Sequence, residues 1–303
     1  MGVAKTPAGF RASIEARLKK EVGPRQGRAL HRRRVLVVME RFIARLNHVL
    51  PDSAVLKGGL ALELRLQGAR TTKDIDVRLL GNPEDLEGHL RAIEAYRPDP
   101  EDHLEFAITL DPNHPNVTGD GVKYEGFRFK VKAKIAGKPY TAFGLDVAYG
   151  DPILGEPDVL EGSAFFEKYG IPRVHVRTYP PTTHLAEKLH AYTLPRDRVN
   201  MRLKDLVDMP LISDALHGCS AADLREAIGL TFDFRETHDP PVALPVPPRE
   251  WLGPYDKLKD EEGLAWEDVD ALHAVAAAFL DPVLDGGEGA WSTEDGRWVA
   301  EEE

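Results

Sequence analysis

Asp74 and Asp76 stand one residue apart in the stretch "KGGLALELRLQGARTTKDIDVR", residues 57–78. They follow a glycine pair, Gly58 and Gly59, and a polar, cationic cluster that includes Arg70, Thr72 and Lys73. On a strand, side chains two apart point the same way, so both carboxylates face one side and Ile75 the other. Two like charges so placed repel each other unless a cation neutralises them. A polar strand edge facing solvent would carry the same spacing, so a third acid is needed to separate the two readings. Asp146 in "FGLDVAYGD" supplies it, mid-strand among Phe143, Leu145, Val147 and Tyr149. An acid there needs a metal, a cationic partner or a hydrogen-bond network. Three carboxylates on two neighbouring strands make an oxygen-rich site suited to Mg²⁺ or Mn²⁺. In phosphoryl transfer such ions hold a triphosphate and activate the attacking hydroxyl.

Further candidates lie in the second half. Lys188, in "AEKLHAY", falls between Leu185 and Tyr192 on the inward stripe of a helix, an odd place for a solvated lysine. Snorkelling along the core edge would produce the same pattern. Asp205 and Asp208 are three apart and share a helix face, where pairing with Arg202 or Lys204 is the ordinary alternative. Thr72 offers a hydroxyl beside the acids, for phosphate or for a local backbone group. Arg70 and Lys73 are placed to meet a triphosphate or to serve as strand-edge charges. The eleven histidines form no metal-ligand spacing. The chain also lacks H-E-x-x-H, G-x-S-x-G and the Walker-type phosphate loop.

These residues need elements to hold them. Residues 29–50 place Leu30, Val35, Val38, Phe42, Leu46 and Leu50 at helical spacing. Residues 54–67 read as a second helix entered at "KGG", followed by a strand through "KDIDVRLL". Asn82 and Pro83 mark the start of a helix reaching Tyr96. Strands follow at "HLEFAITL", at "KYEGFRFKVKAKIAG" with period-2 alternation, and at "YTAFGLDVAYGD". From about residue 180 the pattern is helical: a Thr-capped helix in "PTTHLAEKLHAY", another through "NMRLKDLVDMPLISDAL" bent or ended at Pro210, and a third capped by Ser220 and Asp223. A last helical pair follows the Pro-rich "DPPVALPVPP". The expectation is an α+β chain: an N-terminal mixed sheet with flanking helices over 1–178, a helical unit over 179–285, and a disordered acidic tail over 286–303.

Charge is distributed unevenly. The net charge is −11, yet residues 1–50 carry twelve Lys/Arg against three Glu, a balance of +9 that leaves −20 for the rest. Lys130, Lys132 and Lys134 alternate onto one strand face. Such asymmetry fits a protein that meets a polyanion on one side only, though a solvated face explains it equally. No apolar run approaches the length of a membrane span, and the first twenty residues lack a secretory pattern. Cys219 is the single cysteine, so an internal disulfide is impossible and a reducing cytoplasm is expected.

Taken in order, G-G-x-A-L, R-x-T-x-D-I-D, a later lone strand Asp, A-E-K-L-H-A and R-x-K-D-L-x-D resemble the AbiEii/MenT nucleotidyltransferase toxins. These are toxin halves of type IV toxin–antitoxin or abortive-infection systems, within the DNA polymerase β-like nucleotidyltransferase superfamily. The resemblance spans roughly residues 29–285. It implies a nucleotidyltransferase that moves NMP from an NTP to RNA, above all the tRNA 3′ end, with a cognate antitoxin as partner. It also implies Asp74, Asp76 and Asp146 as metal ligands, Asp146 doubling as general base. Lys188, Asp205 and Asp208 would be the later-motif residues, and Gly58, Gly59, Thr72, Arg70 and Lys73 the nucleotide contacts. The superfamily's Gly-Ser is Gly58-Gly59 here, which leaves backbone N–H groups to meet phosphate. Nucleotidylation of a small molecule or protein, and a catalytically silent binding role, are the alternatives. The basic N-terminal helix and the lysine face would track RNA phosphates.

Overall fold

The computed structural model describes residues 6–23, 27–66, 72–81, 85–117, 126–150, 152–197 and 199–300. Two helices open the chain. In α1 (Pro7–Val22) only Phe10, Ile14 and Leu18 are buried, an i, i+4, i+8 stripe narrow enough to be masked by the charges around it. Thr6 caps it, its hydroxyl accepting from the Gly9 N–H at 3.2 Å, with Pro7 at the first turn. The stripe of α2 (Arg28–Val49) buries Leu30, Val35, Val38, Phe42 and Leu46 as its spacing predicts.

The expected helix over 54–67 begins late. Ala54–Lys57 is a strand, β1, because its three buried residues pair antiparallel with the strand β2 (Asp74–Leu79), and this pairing outweighs helix propensity. Gly58, at φ +67°, breaks the strand and starts α3 (Gly58–Leu66). Asn82 and Pro83, like Arg70, lie outside the described residues; the next helix, α4 (Leu86–Ala95), is capped by the Asp85 carboxylate accepting from the Gly88 N–H at 2.7 Å.

Strands β3 (Leu104–Leu110), β4 (Gly126–Ile135) and β5 (Lys138–Ala148) form an antiparallel meander, and β5 pairs parallel with β2. Two four-residue strands, β6 (Asp158–Glu161) and β7 (His175–Thr178), extend the other side, giving the order β3-β4-β5-β2-β1-β7-β6 among the described residues. This mixed sheet buries one face against α1, α2 and α4 through Phe42, Phe106, Phe143, Val131 and Leu145. A buried charge cluster pins α2 to the entry of β3. Asp102 accepts from Arg45 at 2.6 and 2.8 Å and from Arg41 at 3.0 Å.

The second half is helical: α5 (Pro181–Thr193), α6 (Leu203–Ser213), α7 (Ala221–Arg235), α8 (Leu252–Glu262) and α9 (Val269–Leu284). Its core gathers Leu189, Leu206, Met209, Leu224, Phe232, Leu272 and Phe279. α3 lies between the two cores, giving Leu60 and Ala61 to the first and Leu62 to the second. Pro210 does not end α6, which continues to Ser213, whose hydroxyl donates to the Pro210 carbonyl at 2.7 Å. Ser220 caps α7 as expected, accepting from the Asp223 N–H at 3.0 Å.

The acidic tail departs from expectation. A hairpin of β8 (Ala290–Ser292) and β9 (Arg297–Val299) packs Trp291 and Trp298 against Phe279, with ring centroids 4.6 and 5.6 Å away. Two tryptophans outweigh the acids around them, because each aromatic ring buries a large apolar area.

Candidate active site

The register of the sheet builds the site. Arg128 on β4, Asp146 on β5, Asp76 on β2 and Lys57 on β1 are consecutive cross-strand partners, so cation, acid, acid and cation stand in one lateral row. The neighbouring row is Lys130, Gly144 and Asp74. All of these point away from the face that packs on α2. Glycine at 144 makes room for the Asp74 carboxylate, which a Cβ there would overlap and force to turn. Gly58 holds the same relation to Asp76: a Cβ would meet Oδ2, and its φ of +67° would strain any other residue as well.

The acids are electrostatically unsettled. Burial, and then the Asp146 charge, push Asp76 up to about 6. The same two causes raise Asp74. Asp146 is the one with a close cation: Arg128 grips it bidentately, Nε to Oδ1 at 2.8 Å and Nη2 to Oδ2 at 2.6 Å. Of the three ways to keep an acid at that position, the structure shows the cationic partner. Among the described residues no three His, Cys, Asp or Glu side chains converge to hold an ion, and both oxygens of Asp146 are turned to Arg128. The donor set nonetheless suits a hard divalent cation, since Asp74 and Asp76 carry carboxylate charge that their surroundings do not balance.

Across from this row, α5 brings three polar side chains. Glu187 accepts from Lys57 at 2.9 and 3.1 Å and pairs with Arg235 of α7 at 3.4 Å. Lys188 sits between Asp205 (2.7 Å) and Asp208 (2.9 Å) of α6, and Arg202 approaches Asp205 at 3.4 Å. His184, one turn before Lys188, is held neutral, pushed down to about 3 by burial and then by the Lys188 charge. Its Nε2 has no hydrogen-bond partner among the described residues.

Sheet row and helices enclose a cleft of about 1740 Å³. Gly58, Gly59, Thr72, Lys73, Asp74, Asp76, Asp146, Lys188 and Asp205 all border it. Asp208 lies buried behind Lys188, and Arg70 is outside the described residues. The Thr72 hydroxyl donates to the Asp74 carbonyl at 3.1 Å, the local backbone role of its two readings. Sequence reasoning missed Lys57, Arg128, His184 and Glu187. Arg128 alone left a signal, since it continues the alternation of Lys130, Lys132 and Lys134 by one step.

Residues 41–278 match the family model described as nucleotidyl transferase AbiEii toxin, type IV toxin–antitoxin system. The chain belongs to this family. It is a nucleotidyltransferase toxin, and the family implies an NTP substrate and an antitoxin partner. The fold matches that of MenT4, a nucleotidyltransferase toxin from Mycobacterium tuberculosis H37Rv, with a TM-score of 0.60 and 16% identity over 94% of this chain and 93% of that one. JHP933 from Helicobacter pylori aligns at a TM-score of 0.46 and 14% identity, covering 82% of this chain and 93% of that one. No curated protein matches the chain. No helix among the described residues is long and apolar enough to cross a membrane.

Proposed function

We propose that this cleft transfers NMP from an NTP to an RNA acceptor, the tRNA 3′ end, in a metal-dependent reaction in the cytoplasm that blocks translation. The observation carrying this reading is the lateral row of Asp76 and Asp146, with Asp74 beside it, on the wall of a cleft bordered by cations. Asp74 and Asp76 would hold Mg²⁺ or Mn²⁺, and Asp146 would join them when Arg128 turns away. Bound there, the ion supplies charge neutralisation for the triphosphate and acidifies the attacking hydroxyl.

The protein's own residues do the rest. Backbone N–H groups at Gly58 and Gly59 and the side chains of Lys73, Lys188 and Arg202 bind the polyphosphate. Asp205 and Asp208 hold the Lys188 ammonium in place, so its charge arrives oriented. The acceptor oxygen bonds to the α-phosphorus, the bond to pyrophosphate breaks, and the hydroxyl proton passes to Asp146. Positioning and charge stabilisation account for most of such a step.

The test is to incubate the purified chain with each labelled NTP and total tRNA, with Mg²⁺ or with a chelator. Label at the RNA 3′ end, abolished by the chelator, is expected. Label on a protein or small molecule with unlabelled RNA would overturn the acceptor, and transfer unaffected by chelation would overturn the metal.

A further inference from the structure

The half of the sheet made by β3, β4 and β5 is covered by helices on one face and open on the other. The open face of β4 carries Lys130, Lys132 and Lys134, all exposed, in line with Arg128 and hence with the carboxylate row. Their cross-strand neighbours are mostly small. Thr109 and Gly144 flank Lys130, Ala107 and Ala142 flank Lys132, and Glu105 and Pro139 flank Lys134. Residues two apart on a strand are about 7 Å apart, so the line from Lys134 to Arg128 is about 20 Å long. Lys130 reaches Asp111 at 3.0 Å, whereas Lys132 and Lys134 form no ion pair with a described residue.

Lysines often guard the edge strand of a sheet against aggregation. That explanation does not apply here, since β3 is the edge and β4 is interior. Many cations of the N-terminal surplus are already engaged within the fold. Arg17 and Arg33 pair with Glu21, Arg34 with Glu15, and Arg41 and Arg45 with Asp102. Arg28 and Arg32 reach Glu261 and Glu262, and Arg11 donates to the carbonyls of Ile135, Lys138 and Pro139. Acids from outside the first fifty residues, Asp102, Glu261 and Glu262, lower the +9 balance to +6, and the arginines named here are committed to contacts within the fold.

We infer that the open face of β4 is the track on which the single-stranded end of the acceptor RNA lies, its phosphates on Lys134, Lys132 and Lys130 and its terminal hydroxyl at the Asp146–Asp76 row. This rests on the nucleotidyl-transfer reading above. A row of ammonium groups at regular spacing suits successive phosphates of one strand, and the small neighbours leave room for ribose to approach the sheet. The lysine row reads charge, not sequence, so binding through it is sequence-tolerant and salt-sensitive.

The test compares wild type, Lys132→Ala/Lys134→Ala, and the α1 control Lys19→Ala/Lys20→Ala, all as full chains. Affinity for a single-stranded RNA oligonucleotide is measured by anisotropy across a salt series, and NTP affinity by calorimetry with Mg²⁺. The β4 variant is expected to lose about tenfold in RNA affinity and about 1.4 in salt slope, at about 0.7 per lysine lost on a single strand. Its NTP affinity and melting temperature stay at wild-type values, and the α1 control stays within twofold throughout. Wild-type affinity and slope in the β4 variant, while the wild type still labels RNA, would overturn the track and leave the transfer reading standing. Failure of the wild type to label any RNA would remove both. Normal RNA binding with loss of neutralisation by the antitoxin would reassign the face to a protein partner.

Discussion

At the scale of single residues, the site is a problem in placing negative charge. Asp76 is half-buried beside Asp146 and rises to about 6, above the ordinary carboxylate value. The sign of the consequence follows. A raised folded-state value means that the fold holds the proton better than the unfolded chain, so the stability this supplies is present near pH 4 and lost as pH rises through 6. Asp76→Asn should therefore abolish transfer and yet stabilise the metal-free protein at pH 8, by about 3 kcal/mol if the shift is about two pH units. Urea unfolding at pH 4.5 and pH 8 reads this directly: the gap between variant and wild type should open with pH. Equal stability at pH 8 would refute it. Gly144→Ala tests the neighbouring row. Its methyl group would occupy the space of the Asp74 carboxylate, so transfer should fall at least tenfold while far-UV circular dichroism is unchanged, and a fully active variant would show that Asp74 has another seat.

At the scale of elements, the sequence revealed those whose pattern is local. The strands carrying the acids and lysines show period-2 alternation over many residues, and α2 shows a long apolar stripe. Both survive in the structure because burial on one face enforces them. Elements defined by a distant partner were not legible. Ala54–Lys57 reads as the start of a helix until β2 is beside it, and β6 and β7 are four-residue strands fixed by each other. The same reason hid Lys57 and Glu187, whose places depend on register and helix packing, and the pairing of Arg128 with Asp146, while the D-x-D spacing was visible within three residues. The Asp102 cluster shows what holds the sheet to α2. Burial penalises its charge, yet hydrogen bonds and charge from Arg45 and Arg41 prevail and keep Asp102 below the usual range. Its stabilisation is present above the unfolded value near 4 and is lost as pH falls through the folded one. Asp102→Asn leaves two buried guanidinium groups without their countercharge and should cost about 3–5 kcal/mol at pH 7. Chemical denaturation at pH 7 and pH 3 checks both parts, since the deficit should shrink in acid; a loss under 1 kcal/mol at pH 7 would mean that water replaces the carboxylate.

At the scale of the whole molecule, the cleft exists because two cores meet along it, one under the sheet and one among the helices, with α3 contributing to each. The walls are tied across the opening by Arg28 and Arg32 on α2 and Glu261 and Glu262 on α8. Partly exposed pairs of this kind add little stability, so the helical wall must be firm in its own right to hold Lys188, Asp205 and Asp208 opposite the acids. The C-terminal hairpin contributes to that firmness. Trp291 is 5% exposed and meets Phe279 edge-on, while the Trp298 indole N–H donates to the Phe279 carbonyl at 2.8 Å. The backbone closes the arrangement, with the Trp291 N–H donating to the Cys219 carbonyl at 2.9 Å and the Ala221 N–H to the Gly289 carbonyl at 2.8 Å, at the entrance to α7. Composition alone marks this segment as a disordered acidic tail, and the packing says otherwise. Trp291→Ala should cost about 3–5 kcal/mol, the usual penalty for emptying a buried aromatic site. Cys219 offers a second readout, because burial pushes its thiol up to about 11 and keeps it unreactive at neutral pH. Loosening the hairpin should expose that thiol, so alkylation at pH 8 should accelerate in the variant well before global unfolding. Wild-type stability together with a wild-type alkylation rate would show that the hairpin is an ornament on the helical wall and not a part of it.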